Sequence, residues 1–168
     1  MMEELGYRIR PATPEDNAVL RQQIRFTMAH PDGRGRRDSY VGAAQRNELL
    51  LLERYNPREK QWEIAGFVEW HMRVDDTLTI RDAGTVGETP HSGIVKQLIL
   101  ELLRSLQPVA ATVKVRRDAT SWNEIFLKLP GFSYEGSEYR RPHWFNIWHW
   151  SREAARQVTR RQRDQRRR

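Results

Sequence analysis

The chain contains no cysteine. That excludes a disulfide framework, thiolate nucleophiles and thiolate metal sites. It also lacks any run of about 18 apolar residues, the length a helix needs to cross a bilayer. The opening MMEELGYRIR has no apolar core of the kind a secretory signal carries. A soluble, cytoplasmic protein with no membrane partner fits these absences. Apolar residues are sparse, 38% of 168, but six Trp, five Tyr and five Phe supply large packing surfaces. That length suits one domain with a real core. The five histidines show no metal-ligand spacing, so no metal is expected.

Arginine is in excess, and at one end. Residues 152 to 168 hold eight Arg against Glu153 and Asp164, a net charge of +6. The remaining residues carry 21 basic and 20 acidic side chains. The sequence therefore divides into a nearly neutral domain, 1–151, and an Arg-rich tail or helix, 152–168. Arg152, Arg156, Arg160, Arg163 and Arg167 recur at helical steps, and Arg161, Arg166 and Arg168 add to the same charge. The planar guanidinium suits phosphate, so the tail is a candidate nucleic-acid contact with steep salt dependence. The competing reading is a solubilising terminus.

Apolar periodicity orders the body. A strand at Tyr7 to Arg10 leads to Thr13 as an N-cap with Pro14 at the first helical position, and Ala18, Leu20, Ile24 and Met28 mark one helical face. HPDGRGRRDS reads as a loop whose Arg34, Arg36 and Arg37 are solvated, and SYVGAAQR as a short helix. ELLLLERY, WEIAGFVEWHMRV and TLTIRDAGTV are strands. Val95, Leu98, Ile99, Leu102, Leu103 and Leu106 follow the i, i+3, i+4 pattern of a helix that Pro108 stops. ATVKVRR is a strand, SWNEIFLKLP a helix, and FSYEGSEYRRPHWFNIWHW two strands bent near Pro142. The aromatics of the last strand read as core or a subunit contact rather than a base-stacking platform. This order predicts a single α+β domain with a twisted, mostly antiparallel mixed sheet of about six to seven strands flanked by helices. The strand–helix–strand piece at 77–117 is its parallel crossover.

One hairpin carries candidate chemistry. With Asp75 and Asp76 as a two-residue loop, Glu69 faces Asp82 and His71 faces Ile80, on a side shared with Phe67, Leu78 and Ile80. Two opposed carboxylates in an apolar setting cannot easily both ionise, so one pKa should rise. Glu69 is the first candidate for a base that deprotonates an amine, Asp82 the second, and His71 a third. The competing reading pairs these acids structurally with Arg73, Arg81 or Arg116.

YRIRPATPEDNAVL, WEIAGFVEW and LKLPGF, in this order and spacing, resemble the opening strand and helix, the third strand and the helix end before the sixth strand of the GNAT acetyltransferase superfamily. The resemblance covers roughly residues 7 to 150. It implies acetyl-CoA held with its pyrophosphate at residues 88 to 95, where backbone N–H groups and the positive end of a helix bind anions. His91, Ser92, Gly93, Ile94 and Val95 are the cofactor-binding candidates there, and N–H groups at Thr85, Val86 and Gly87 would polarise the thioester carbonyl. The family pattern Gln/Arg-x-x-Gly-x-Gly/Ala is met only by Gly93, since Pro90 and Val95 stand at its other positions. Leu127 stands where the family often has a Tyr acid. The resemblance thus implies an N-acetyltransferase with an unread amine acceptor. Its degenerate relatives among phage virion proteins suggest the alternative: a noncatalytic, virion-associated or ribonucleoprotein assembly module whose tail holds nucleic acid.

Overall fold

The computed structural model describes residues 6–168. β1 (Tyr7–Pro11) leads through a 3-10 turn (Pro14–Asp16) into α1 (Asn17–Gln23), followed by α2 (Val41–Gln45), β2 (Leu49–Asn56), β3 (Gln61–Met72) and β4 (Thr77–Thr85). Then come α3 (Ser92–Leu106), β5 (Ala110–Arg116), α4 (Thr120–Lys128), β6 (Phe132–Arg140), β7 (His143–Ser151) and α5 (Arg152–Arg166). The seven strands form one sheet in the order β1-β2-β3-β4-β5-β7-β6. Only β4 and β5 run parallel. Among the described residues no helix is long and apolar enough to cross a membrane.

Two apolar clusters cover the two faces of the sheet. On one, α3 and α4 lay Leu98, Ile99, Trp122 and Phe126 against Val68, Leu78, Ile80 and Val113. On the other, α1 and α2 bury Leu20, Tyr40 and Ala43 against Leu51 and Phe67. α3 forms where the period-3.6 pattern predicts it. Its last turn closes on Gln107 in the left-handed region, φ 47°, just before Pro108.

Five sequence expectations need correction. The helix expected to carry Ile24 and Met28 ends at Gln23, and Ile24 is already extended at φ −115°, ψ 99°. Bulky Ile24, Phe26 and Thr27 favour an extended chain here, and Thr27 forms a β-bridge with Gly84. The β3–β4 loop has three residues, Val74 to Asp76: Arg73 N–H donates to Thr77 O at 2.9 Å, with Asp76 left-handed at φ 62°. A bulge at Arg81 then restores the register, so Glu69 does face Asp82, while His71 pairs with Thr79 rather than Ile80. The bulge also turns Leu78 and Ile80 to the α3 side, away from Asp82. Finally, Arg36 is not solvated; its side chain is 9% exposed.

Candidate active site

β4 pairs with β5 only over Thr77 to Ile80, opposite Ala110 to Val113. Beyond Ile80 the parallel strands separate. β3 holds one edge of β4 throughout, so the far edge of residues 81–85 is left to another partner. The chain after α1 takes it: Thr27 bridges to Gly84, and Met28 N–H donates to Ala83 O at 2.8 Å. Gly84 permits this approach, because a Cβ there would lie 2.7 Å from Ile24 and 3.2 Å from Thr27. The Met28 side chain is buried among the α3-side residues. Residues 27–29 thus form a strap across the open end of the splay.

Beneath the strap lies a charged cluster. Ala29 N–H donates to Asp82 Oδ1 at 2.9 Å, as does Ala83 N–H. Asp82 Oδ2 is buried without a hydrogen-bond partner, 3.5 Å from Arg36 Nη1. The same Nη1 donates to Glu69 Oε1, and the guanidinium stacks 4.0 Å over the Tyr40 ring. Burial pushes the Asp82 carboxyl up to about 6, against the two N–H groups and Arg36, which favour its ionised form. Burial also raises the Tyr40 hydroxyl, with the Asp82 charge adding to it. The expected side-by-side placement of Glu69 and Asp82 is therefore present, and the cation that joins them is Arg36 rather than Arg73, Arg81 or Arg116. Glu69 has its oxygen engaged, so Asp82 carries the unpaired one. His71 stands apart, with Nδ1 2.5 Å from Glu48 Oε2. Burial pushes the Glu48 carboxyl up, but hydrogen bonds from Arg46 and His71 outweigh it and hold Glu48 below its ordinary value.

The expected phosphate loop is partly spent on itself. His91 N–H donates to Thr85 Oγ1 at 2.9 Å. Ile94 and Val95 N–H both reach His91 O at 3.1 Å, and Ile94 N–H also reaches the His91 ring at Nδ1, 3.2 Å. The imidazole thus caps α3 by accepting at Nδ1, and Gly93 leaves room for it: a Cβ there would stand 3.2 Å from the ring. Val95 points into the core. Val86 N–H donates to Ala65 O, so it is not free for a carbonyl. Ser92 and Gly93 retain N–H groups with no partner among the described residues. Both line a groove of about 550 Å³ between α3 and α4, together with Lys96, Lys128, Ser121 and one acid, Glu124. Sequence reasoning missed the two lysines: each lies on the polar side of its helix and meets the other only in the fold. Leu127 is 68% exposed, and its aliphatic side chain carries no proton to donate.

At the tail, Ser151 Oγ caps α5 by accepting from Ala154 N–H at 3.1 Å. Arg152 is engaged by the body, donating to Gln107 O at 2.5 Å and Pro108 O at 3.2 Å at the end of α3. Arg156, Arg160, Arg161, Arg163, Arg166, Arg167 and Arg168 are exposed. Trp148 and Trp150 are buried in the core, Phe145 is half-buried, and Trp144 is exposed.

A mixed sheet with its one parallel pair splayed, and a helix that starts beside that splay, is the fold of the GNAT acetyltransferases. Solved structures of that fold superpose on nearly the whole chain. A spermidine N-acetyltransferase chimera from Vibrio cholerae matches with TM-score 0.66 at 14% identity, over 89% of this chain and 98% of its own. Aminoglycoside acetyltransferase AAC(6')-Ib in complex with coenzyme A matches with TM-score 0.65 at 12% identity, over 91% and 99%. A GNAT-family acetyltransferase from Bacillus cereus gives 0.62 at 12% identity, over 86% and 96%. No family profile and no curated protein matches the sequence.

Proposed function

We propose that this chain is an acetyl-CoA-dependent N-acetyltransferase. The observation that carries the reading is the α3–α4 groove, where two free backbone N–H groups at a helix start converge with Lys96 and Lys128 beside the β4–β5 splay. N–H groups at a positive helix end, with two ammonium groups, suit a pyrophosphate. Acetyl-CoA would supply a thioester, from which the acetyl group passes to an amine nitrogen that loses a proton, leaving coenzyme A as the free thiol. The inner end of the site is covered here, since Ala83 O already accepts from Met28 and Ala29 holds Asp82. One movement of residues 27–29 would therefore free both the β4 edge and the carboxylate.

Among the candidate bases, Asp82 suits the role best. An acid at about 6 is mostly ionised at neutral pH and still able to accept a proton. Glu69 and Arg36 then act as positioning residues that hold Asp82 between opposed charges. Calorimetry with acetyl-CoA tests the reading. Binding to the full chain, weakened at least about tenfold in a Lys96→Glu/Lys128→Glu variant, is expected for lost charge-assisted contacts. No heat at high micromolar acetyl-CoA would refute it.

The projecting half of α5 supports a second activity, contact with nucleic acid, for which residues 160–168 are wholly exposed. The helix has little apolar surface beyond Ala155 and Val158, which face the body near Trp150, so membrane insertion is disfavoured. Because that first half is docked, the informative truncation ends after Thr159. Duplex DNA binding that vanishes on truncation and falls steeply with salt supports the reading. Equal binding by both chains would remove it.

A further inference from the structure

The strap and the polar loop behind it wall a second pocket, of about 590 Å³, on the Asp82 side of the splay. It adjoins the charged cluster through two of its own lining residues. Ala29 donates to Asp82 Oδ1, and Arg36 lies against Asp82 Oδ2. An amine reaching Asp82 once the strap moves would extend into this pocket, so its walls select the rest of the acceptor.

Those walls are cationic. Arg21, Arg34, Arg37 and Arg116 line the pocket with Arg36, and His30 and His143 add ring nitrogens. Arg36 is neutralised by Glu69 and Asp82, and Arg116 by a two-point contact with Asp118 at 3.0 and 2.7 Å. Arg21 and Arg37 make no ion pair among the described residues. Asp32 is the one carboxylate in the lining, and it already accepts from Arg34 N–H at 3.2 Å with the Arg34 side chain 3.9 Å away. A polycation entering here would meet a single carboxylate, Asp32, shared with Arg34, and two guanidinium groups with no ion pair among the described residues. An oxyanion would find planar donors matched to its geometry.

Building on the acetyltransferase reading, we propose that the acceptor is an amine that also carries an anionic group, carboxylate or phosphate, and that Arg21 and Arg37 hold that group while the nitrogen faces Asp82. This is opposite in charge preference to a polyamine site.

The test reads binding by calorimetry on the full chain without acetyl-CoA, using O-phosphoethanolamine, β-alanine, ethanolamine and spermidine as probes. At least one anionic amine should bind about tenfold or more tighter than ethanolamine, with spermidine weakest. Which of the two binds tells phosphate from carboxylate. Arg21 and Arg37 are both exposed, so an Arg21→Glu/Arg37→Glu variant should fold, checked by circular dichroism. It should lose that advantage and gain affinity for spermidine. Spermidine binding as tight as the anionic amines, no binding by either anionic amine, or unchanged selectivity in the double variant overturns the proposal. A parallel acetyl-CoA titration separates the two readings. Acetyl-CoA binding without anion preference removes only this one, and anion preference without acetyl-CoA binding removes the acetyltransferase.

Discussion

Asp82 should make the protein more stable in mild acid than at neutral pH. Its carboxyl sits at about 6 in the folded chain, against 3.8 when unperturbed. Ionising it in the folded state is therefore harder than in the unfolded state by about 3 kcal/mol. The sign follows from the direction of the shift. Below the unfolded value both states hold the proton, and the protein enjoys the full difference. As the pH rises through 6, the folded chain must ionise a buried group, and that stability is lost. Between pH 8 and pH 5 the gain is about 1.4 kcal/mol, with the remainder arriving below. Urea unfolding across this range, compared with a D82N variant, isolates the residue. The amide still offers an oxygen to Ala29 and Ala83 N–H but does not ionise between pH 4 and 8. The wild type minus variant difference should rise as the pH falls from 8 to 4. A flat difference would show that Arg36 keeps Asp82 ionised throughout and that burial does not dominate.

Removing the cation tests the same cluster from the other side. Arg36→Met leaves Glu69 and Asp82 facing each other without a counter-charge, and should lower unfolding free energy by about 3–5 kcal/mol. A loss under about 1 kcal/mol would mean the pair is not buried as described. Tyr40→Phe deletes a buried hydroxyl that has no hydrogen-bond partner while keeping the ring edge on Phe67 at 5.0 Å. It should be neutral or stabilising by up to about 1 kcal/mol, and a clear destabilisation in urea would reveal a hidden partner for the oxygen. Met28→Ala should cost about 2–5 kcal/mol as a buried truncation, yet raise acetyl-CoA affinity by loosening the strap. Unchanged or weaker affinity in the folded variant would show that the strap does not cover the cofactor's berth.

The local periodicities were legible in the sequence, and the long-range choices were not. α3 announced itself because six apolar residues repeat at helical spacing and Pro108 ends it. Arg36 could not be told from Arg34 and Arg37, because nothing local distinguishes the one guanidinium that folds inward over Tyr40. Met28 fitted a helical face by spacing, but an edge of β4 left open by β5 outcompeted the helix for Thr27 and Met28. That edge is a tertiary fact. The pairing of Glu69 with Asp82 was reached through two errors of one residue that cancel: a loop of three residues instead of two, and one extra residue at Arg81. The cancellation has a structural cause. The bulge falls where the β5 pairing stops, at Ile80, and an extra residue there reverses which face the following side chains meet. Leu78 and Ile80 stay with the α3 core, and Asp82 is turned toward the strap and the arginine-lined pocket. Without the bulge, Asp82 would share the apolar α3-side face with Leu78 and Ile80. The bulge at Arg81, just past the end of the parallel ladder, therefore aims a buried carboxylate oxygen that has no hydrogen-bond partner among the described residues, and that coincidence places Asp82 at the centre of the proposed chemistry.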